Sequence, residues 1–249
     1  MTRTFHLGQQ DAITWLRTVG TESVDLVITD PPYESLEKHR ARGTTTRLKN
    51  SKASSNDWFK IFPNQRFPEL FAELYRVLAK NAHLYLFCDQ ETMFAVKAMG
   101  ELAGFKFWKP LVWRKDSIGM GYHYRSLYEF VLFFEKGKRR LADLGIADVL
   151  DAPRVRSGYP AEKPVKLLEI FVRQSSAPGE VVVDPFMGSG TAGLAALELD
   201  RHFWGTDLCT EAVDITQQRL LQAGGVPQAL ADDGDAPSTS GGQLSIGLY

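Results

Sequence analysis

The sequence predicts an α/β fold organised on a mainly parallel sheet. Short apolar runs alternate with segments whose apolar residues recur at helical spacing, and several of the runs end abruptly in proline or glycine. The 249 residues suffice for one large domain with a sizeable core and a small appendage.

The elements follow in order. Residues 4–8 read as a strand and 12–19 as a helix. Residues 23–29 form a buried strand that runs into Asp30-Pro31-Pro32-Tyr33, where two prolines stop both strand and helix. In 67–78, Leu70, Phe71, Leu74, Val77 and Leu78 mark one face of a helix. A strand at 82–88 and a helix at 91–103 come next. Residues 105–113 and 129–134 read as two strands, antiparallel at a sheet edge. The remaining alternation is helix 163–174, strand 181–185, helix 192–199, strand 202–207 and helix 211–221. Three segments lack a period. Residues 34–60 read as a long polar loop and 137–160 as irregular. Residues 224–249, rich in Gly, Ala, Ser, Asp and Pro, read as a disordered tail. The folded domain is therefore expected over 1–223.

Composition narrows the function classes. The net charge of −1 means that any nucleic-acid surface must be local. Two cysteines far apart suit a reducing cytoplasm and provide neither a disulfide framework nor a metal cluster. The N-terminal stretch lacks the apolar run of a signal peptide, and no segment has the roughly 18–20 apolar residues of a membrane span.

Two motifs carry chemistry. Asp184-Pro185-Phe186-Met187-Gly188-Ser189-Gly190-Thr191 lies at a strand end and opens a helix. Glycines there permit a tight turn and close approach of backbone to a ligand. About 20 residues later a second strand ends at Asp207, where a carboxylate can accept both hydroxyls of a ribose. The second motif is Asp30-Pro31-Pro32-Tyr33. A carboxylate beside a carbonyl fixed by proline offers two acceptors for the two hydrogens of an amino group. Tyr33 offers a flat face for stacking a base.

Together these residues resemble the amino-methyltransferases of DNA, whose hallmark is Asp/Asn/Ser-Pro-Pro-Tyr/Phe with a Phe-x-Gly-x-Gly cofactor loop. The tetrapeptide precedes the loop here, as in the beta group of that family, and the resemblance spans roughly residues 5–221. It implies a Rossmann-like class I methyltransferase fold with a mixed, mostly parallel seven-stranded sheet and a circularly permuted motif order. It implies S-adenosylmethionine as cofactor, held by Asp184, Phe186, Gly188, Ser189, Gly190, Thr191 and Asp207. By the same resemblance Asp11 stands near the cofactor adenine and Lys163 approaches its methionine end. Residues 126–133 resemble the strand region beside the target-base pocket, and 137–160 the place of a small target-recognition segment.

The implied substrate is double-stranded DNA, modified at adenine N6 after the base is flipped, as in restriction–modification systems. A homodimer is compatible with the resemblance. Asp30 and the Pro31 carbonyl would hold the amino hydrogens while the lone pair meets the methyl carbon. Lys38, Arg40, Arg42, Arg47, Lys49 and Lys52, in a stretch without acidic residues directly after the tetrapeptide, are the expected phosphate contacts. Residues 136–140 and 154–156 are secondary basic candidates. Methylation of cytosine N4 stays open, because the same acceptors serve either amino group. A catalytically silent DNA-binding module of this fold is the alternative from another class. RNA or protein-glutamine methylation is disfavoured by the motif order.

Overall fold

A computed structural model of the chain describes residues 2–34, 60–119, 123–156, 159 and 161–230. Strand β1 (Thr4–Gly8) and helix α1 (Ala12–Leu16) precede β2 (Val24–Thr29). A 3-10 turn (Asn64–Arg66) leads into α2 (Phe67–Val77), β3 (Leu78–Cys88), α3 (Thr92–Leu102), β4 (Lys106–Arg114), β5 (Tyr128–Lys136) and β6 (Val149–Asp151). Then follow α4 (Val165–Ser175), β7 (Val181–Asp184), α5 (Thr191–Glu198), β8 (His202–Thr206), α6 (Thr210–Gln222) and β9 (Val226–Pro227).

One sheet holds all these strands in the order β6-β4-β5-β3-β2-β7-β8-β1-β9. Every pairing is parallel except those of β5, which runs antiparallel to both β3 and β4. The expected seven strands are the run from β4 to β1, but the sheet has nine. Strand β6 falls inside the segment expected to be irregular and pairs with β4. Strand β9 falls inside the expected tail and pairs with β1, Val226 donating to the Arg3 carbonyl at 2.8 Å. Both are edge strands of two or three residues. Backbone pairing, not apolar alternation, holds them, so periodicity gives no sign of them. Ordered structure thus continues past 223 to 230.

The core lies on both faces of the sheet. In β2, Leu26 and Ile28 point to the face covered by α4, α5 and α6, where Leu167, Phe171, Ala195 and Leu220 are buried. Val24 and Val27 belong to the other face, against Trp15 and Leu16 of α1 and Phe67, Leu70, Phe71 and Leu74 of α2. A strand buried on both faces is nearly continuous in apolar residues, and in β2 only Asp25, which accepts the Val181 N–H at 2.9 Å, interrupts the run before Thr29. Helix α2 begins with Pro68 in its first turn, where no intrahelical N–H is needed. Its end is closed by Lys136, whose buried ammonium donates to the carbonyls of Tyr75 (2.7 Å) and Leu78 (2.5 Å). Lys136 is therefore a structural cap and not the surface charge expected of the 136–140 cluster. Arg139 likewise pairs with Glu180 at 2.6 Å. Among the described residues no helix is long and apolar enough to cross a membrane.

Strands β2 and β7 are neighbours at the centre. From β7 the chain crosses through α5 to β8 on one side, and from β2 through α2 to β3 on the other. The connections diverge there, which opens a crevice at the carboxyl ends of the two strands.

Candidate active site

Both sequence motifs leave the sheet at that crevice. Asp30 follows the last residue of β2, and Asp184 is the last residue of β7. The two strand ends are stapled, because Thr29 Oγ1 donates to Asp184 Oδ1 at 2.9 Å. The same Asp184 oxygen accepts the Phe186 backbone N–H at 3.0 Å and so shapes the start of the glycine loop. Burial pushes the Asp184 carboxyl up to about 7 against these donors.

A cavity of about 980 Å³ lies between the motifs. Asp30, Pro31, Pro32 and Tyr33 line it from one side, and Asp184, Phe186, Gly188, Ser189 and Thr191 from the other, with Asp207. Of the predicted catalytic and cofactor residues, Gly190 alone does not line it. It stands behind the loop at φ +74°, where an added Cβ would sit 2.5 Å from Thr216 Cγ2. Its role is to let α6 close against the turn. Gly188, at φ +49°, also needs the left-handed region, and Tyr159 packs over it at 3.3 Å from an added Cβ. The loop is braced from α6: Thr216 donates to the Gly188 carbonyl at 2.9 Å and Arg219 to the Ser189 carbonyl at 2.7 Å. Asp207 accepts the Gly188 N–H at 3.0 Å and the Cys209 N–H at 2.9 Å, while burial raises its carboxyl.

The tetrapeptide is braced as well. Tyr33 is half-buried against the core on the α1–α2 face of the sheet, and its hydroxyl donates to Asp30 Oδ1. Burial pushes that phenol well up, so it remains a donor. Phe62, which no sequence signal singled out, joins the two motifs. Its N–H donates to the Pro32 carbonyl at 2.8 Å, and its ring meets Phe186 edge-on with centroids 5.1 Å apart.

Two predicted cofactor residues have partners that sequence did not suggest. Asp11 lines the cavity, yet its carboxylate caps α1 through the N–H groups of Ile13 and Thr14. It also takes a two-pronged pair from Arg66, at 2.7 and 2.8 Å. That guanidinium holds the Asp11 carboxyl down at about 2 and lies 5.2 Å from the Phe62 ring centroid. Lys163 bonds Asp30 Oδ2 directly and stands 3.5 Å from Glu129 of β5. Lys115 pairs with Glu129 at 2.5 Å. Burial opposes the charge on Lys163, but Asp30 and Glu129 outweigh it and keep the ammonium protonated. Burial likewise opposes ionisation of Glu129, and its two lysines outweigh that. Glu162 turns the other way to pair with Arg219 at 2.8 Å, tying the Lys163 segment to the glycine loop. Lys115, Phe62 and Arg66 are site residues that motif reading missed, while Glu129 lies in the 126–133 stretch expected beside the target-base pocket, though no motif gives it a role of its own.

The six basic residues from Lys38 to Lys52 lie outside the described residues. Of the other basic candidates, Arg156 is exposed and paired with Asp116 at 2.6 Å. Cys88 lines the cavity as a buried thiol pushed up by burial, which leaves it a poor nucleophile.

Comparison with known proteins agrees with this arrangement. DNA adenine methyltransferase YhdJ of Escherichia coli is 29% identical over 250 residues, covering 84% of this chain and 80% of the relative. Type II methyltransferase M.HpaI of Haemophilus parainfluenzae is 24% identical, covering 84% and 72%. Two solved structures share the fold. The cytosine-N4-specific PvuII DNA methyltransferase has a TM-score of 0.69 at 19% identity, over 88% of this chain and 87% of that one. M1.HpyAVI, solved as a SAM complex, has a TM-score of 0.64 at 23% identity, over 87% and 100%. The model of the N6/N4 methyltransferase family, described as DNA methylase, matches residues 24–218, and with both hallmark motifs facing one crevice the chain belongs to that family.

Proposed function

We propose that the chain transfers a methyl group from S-adenosylmethionine to N6 of an adenine flipped out of double-stranded DNA. The observation that carries this reading is the shared cavity: an amino-group acceptor, Asp30, and a glycine loop with its distal Asp207 face each other across it.

The residues present fit the cofactor. Gly188 exposes backbone where a side chain would meet Tyr159, and Asp207 supplies the carboxylate for a ribose. Ser189 precedes the Gly190 cap and Thr191 opens α5, whose first turn presents N–H groups to polar atoms. When bound, the sulfonium supplies an electrophilic methyl carbon. The chain does the rest by positioning. Asp30 accepts one amino hydrogen and the Pro31 carbonyl the other, so that the nitrogen lone pair is drawn out of conjugation and aimed across the cavity. The Tyr33 hydroxyl and Lys163 fix the Asp30 carboxylate from two sides. Transfer would exchange the cofactor's sulfur–methyl bond for a nitrogen–methyl bond, and Asp30 or water would take the surplus amino proton. Stacking on Tyr33 offsets part of the few kcal/mol lost in unpairing the base.

The basic stretch from Lys38 to Lys52 is the proposed phosphate contact. Support comes from its flanks, since Tyr33 and Phe62 pair through a β-bridge and both line the cavity. Aspartate at the first position of the tetrapeptide favours adenine within the family. The test is nucleoside mass spectrometry of duplex DNA incubated with the purified chain and labelled cofactor. N6-methyladenine that disappears with Asp30→Ala is the expected product. N4-methylcytosine, or no labelled nucleoside, would overturn the assignment.

A further inference from the structure

We infer that Lys163 reads the ring nitrogen next to the target amino group, making Asp30 and Lys163 a paired acceptor and donor for one edge of the flipped base. The inference rests on the methyltransferase reading and adds a specificity residue to it.

The geometry begins with the ammonium. It lines the cavity, its side chain is 11% exposed, and it is bonded to Asp30 Oδ2. An ammonium has three donors. One is directed at Asp30 and a second at Glu129, 3.5 Å away. Among the described residues its remaining polar contact is the Ala161 carbonyl at 3.5 Å, a distance at the limit of a hydrogen bond and readily exchanged for a better acceptor. The position is held from behind. Lys115 clamps Glu129, and the ammonium stands 5.1 Å from the Phe87 ring centroid.

Adenine and cytosine share an edge in which the amino group adjoins an unprotonated ring nitrogen, N1 or N3. A carboxylate acceptor bonded to an ammonium donor presents the complementary pair in the same order. The Watson–Crick edge of thymine places a carbonyl beside an N–H, which reverses both members and sets acceptor against acceptor and donor against donor. Asp30 alone selects an amino group. Asp30 with Lys163 selects an amino group beside a lone pair. Lys163 is thereby a base-contacting residue, and Glu129 a positioning residue that acts through it.

The experiment compares duplexes carrying adenine or 1-deazaadenine at the target position, the second keeping the amino group and lacking only the ring nitrogen. Equilibrium binding with S-adenosylhomocysteine present and kcat/KM are both measured, for wild type and Lys163→Met. The weaker pairing of 1-deazaadenine in the duplex is common to both enzymes and cancels in the ratio. The wild type is expected to disfavour the analogue by about 10- to 100-fold, the worth of a hydrogen bond to a charged donor, and Lys163→Met by about twofold or less. Glu129→Gln should fall between them. Lys163→Arg keeps donors and should keep discrimination, which covers the case in which the methionine variant fails to fold. Equal discrimination in wild type and Lys163→Met, or none in wild type, overturns the inference. So does intact discrimination with a large loss of cofactor affinity, which would assign Lys163 to the cofactor instead. Failure of the methyltransferase reading shows separately, as a wild type that modifies neither base. If cytosine is the product, 3-deazacytosine is the matched analogue.

Discussion

Replacing Asp184 by asparagine should raise stability at neutral and alkaline pH and remove a pH dependence that the wild type carries. Asp184 Oδ1 accepts both the Thr29 hydroxyl and the Phe186 N–H, and an asparagine oxygen in the same place can accept both. What the substitution removes is the charge. Burial pushes this carboxyl up to about 7 from an ordinary 3.8. The folded state therefore holds a proton at pH values where the unfolded chain has released it, and stability declines as pH rises from about 4 to about 7. At 1.36 kcal/mol per pH unit the interval bounds the effect at about 4 kcal/mol, and about 2–4 kcal/mol is expected for the site. The assay is urea unfolding of both proteins at pH 4.5, 6 and 8 with the slope held common. Asp25 and Asp207, whose carboxyls burial also raises, are present in both proteins and cancel. The wild type should lose ground to Asp184→Asn steadily over this range. Parallel curves, or a wild type that gains with pH, would refute the burial argument.

Other expectations follow from the same contacts. Gly190→Ala meets both a left-handed φ and the methyl group of Thr216, and should cost about 2–4 kcal/mol in urea unfolding. A cost under about 0.5 kcal/mol would mean that the turn is not built as described. Phe62→Ala keeps the backbone bond to Pro32 but removes a buried ring packed edge-on against Phe186, and should destabilise by about 3–5 kcal/mol. It should also weaken cofactor binding by calorimetry, whereas a purely local core role would leave binding intact once the variant is folded. Asp207→Ala should lower cofactor affinity by about 10- to 100-fold, the loss of charge-assisted bonds to a ribose. Asp30→Ala should leave that affinity near the wild-type value while abolishing methyl transfer, and the reverse pattern would exchange the two assigned roles.

Much of the fold is legible in the sequence, because the central strands are buried on both faces. Residues 24–29 and 181–184 are predominantly apolar, Asp25 being the one charge inside either strand, and each runs into a motif whose prolines or glycines punctuate it. The meeting of those two ends is implied only by the family resemblance, and the pairing of β2 with β7 supplies it. Strands β6 and β9 are illegible, because a short edge strand needs only backbone partners. The charge network escapes reading for a different reason. Glu129 lies 34 residues before Lys163 in the chain, and Lys115 belongs to another loop. Only the antiparallel insertion of β5 brings all three to Asp30. Arg66 and Asp11 are likewise joined by the packing of α1 on α2. Local pattern reports what a residue's own element does with its side chain. It is silent where two elements decide together.

The central claim is that methyl donor and amino acceptor are held in one cleft by two loops distant in the chain. A bisubstrate probe tests it most directly: duplex DNA whose target adenine N6 is joined by a short linker to the 5′ position of adenosine. Titrated into the wild type, it should bind about 10²- to 10⁴-fold more tightly than either unlinked half, because the second half arrives already at the cleft. Both Asp30→Ala and Asp207→Ala should lose that gain. An affinity no greater than that of the tighter half alone would contradict the shared cleft.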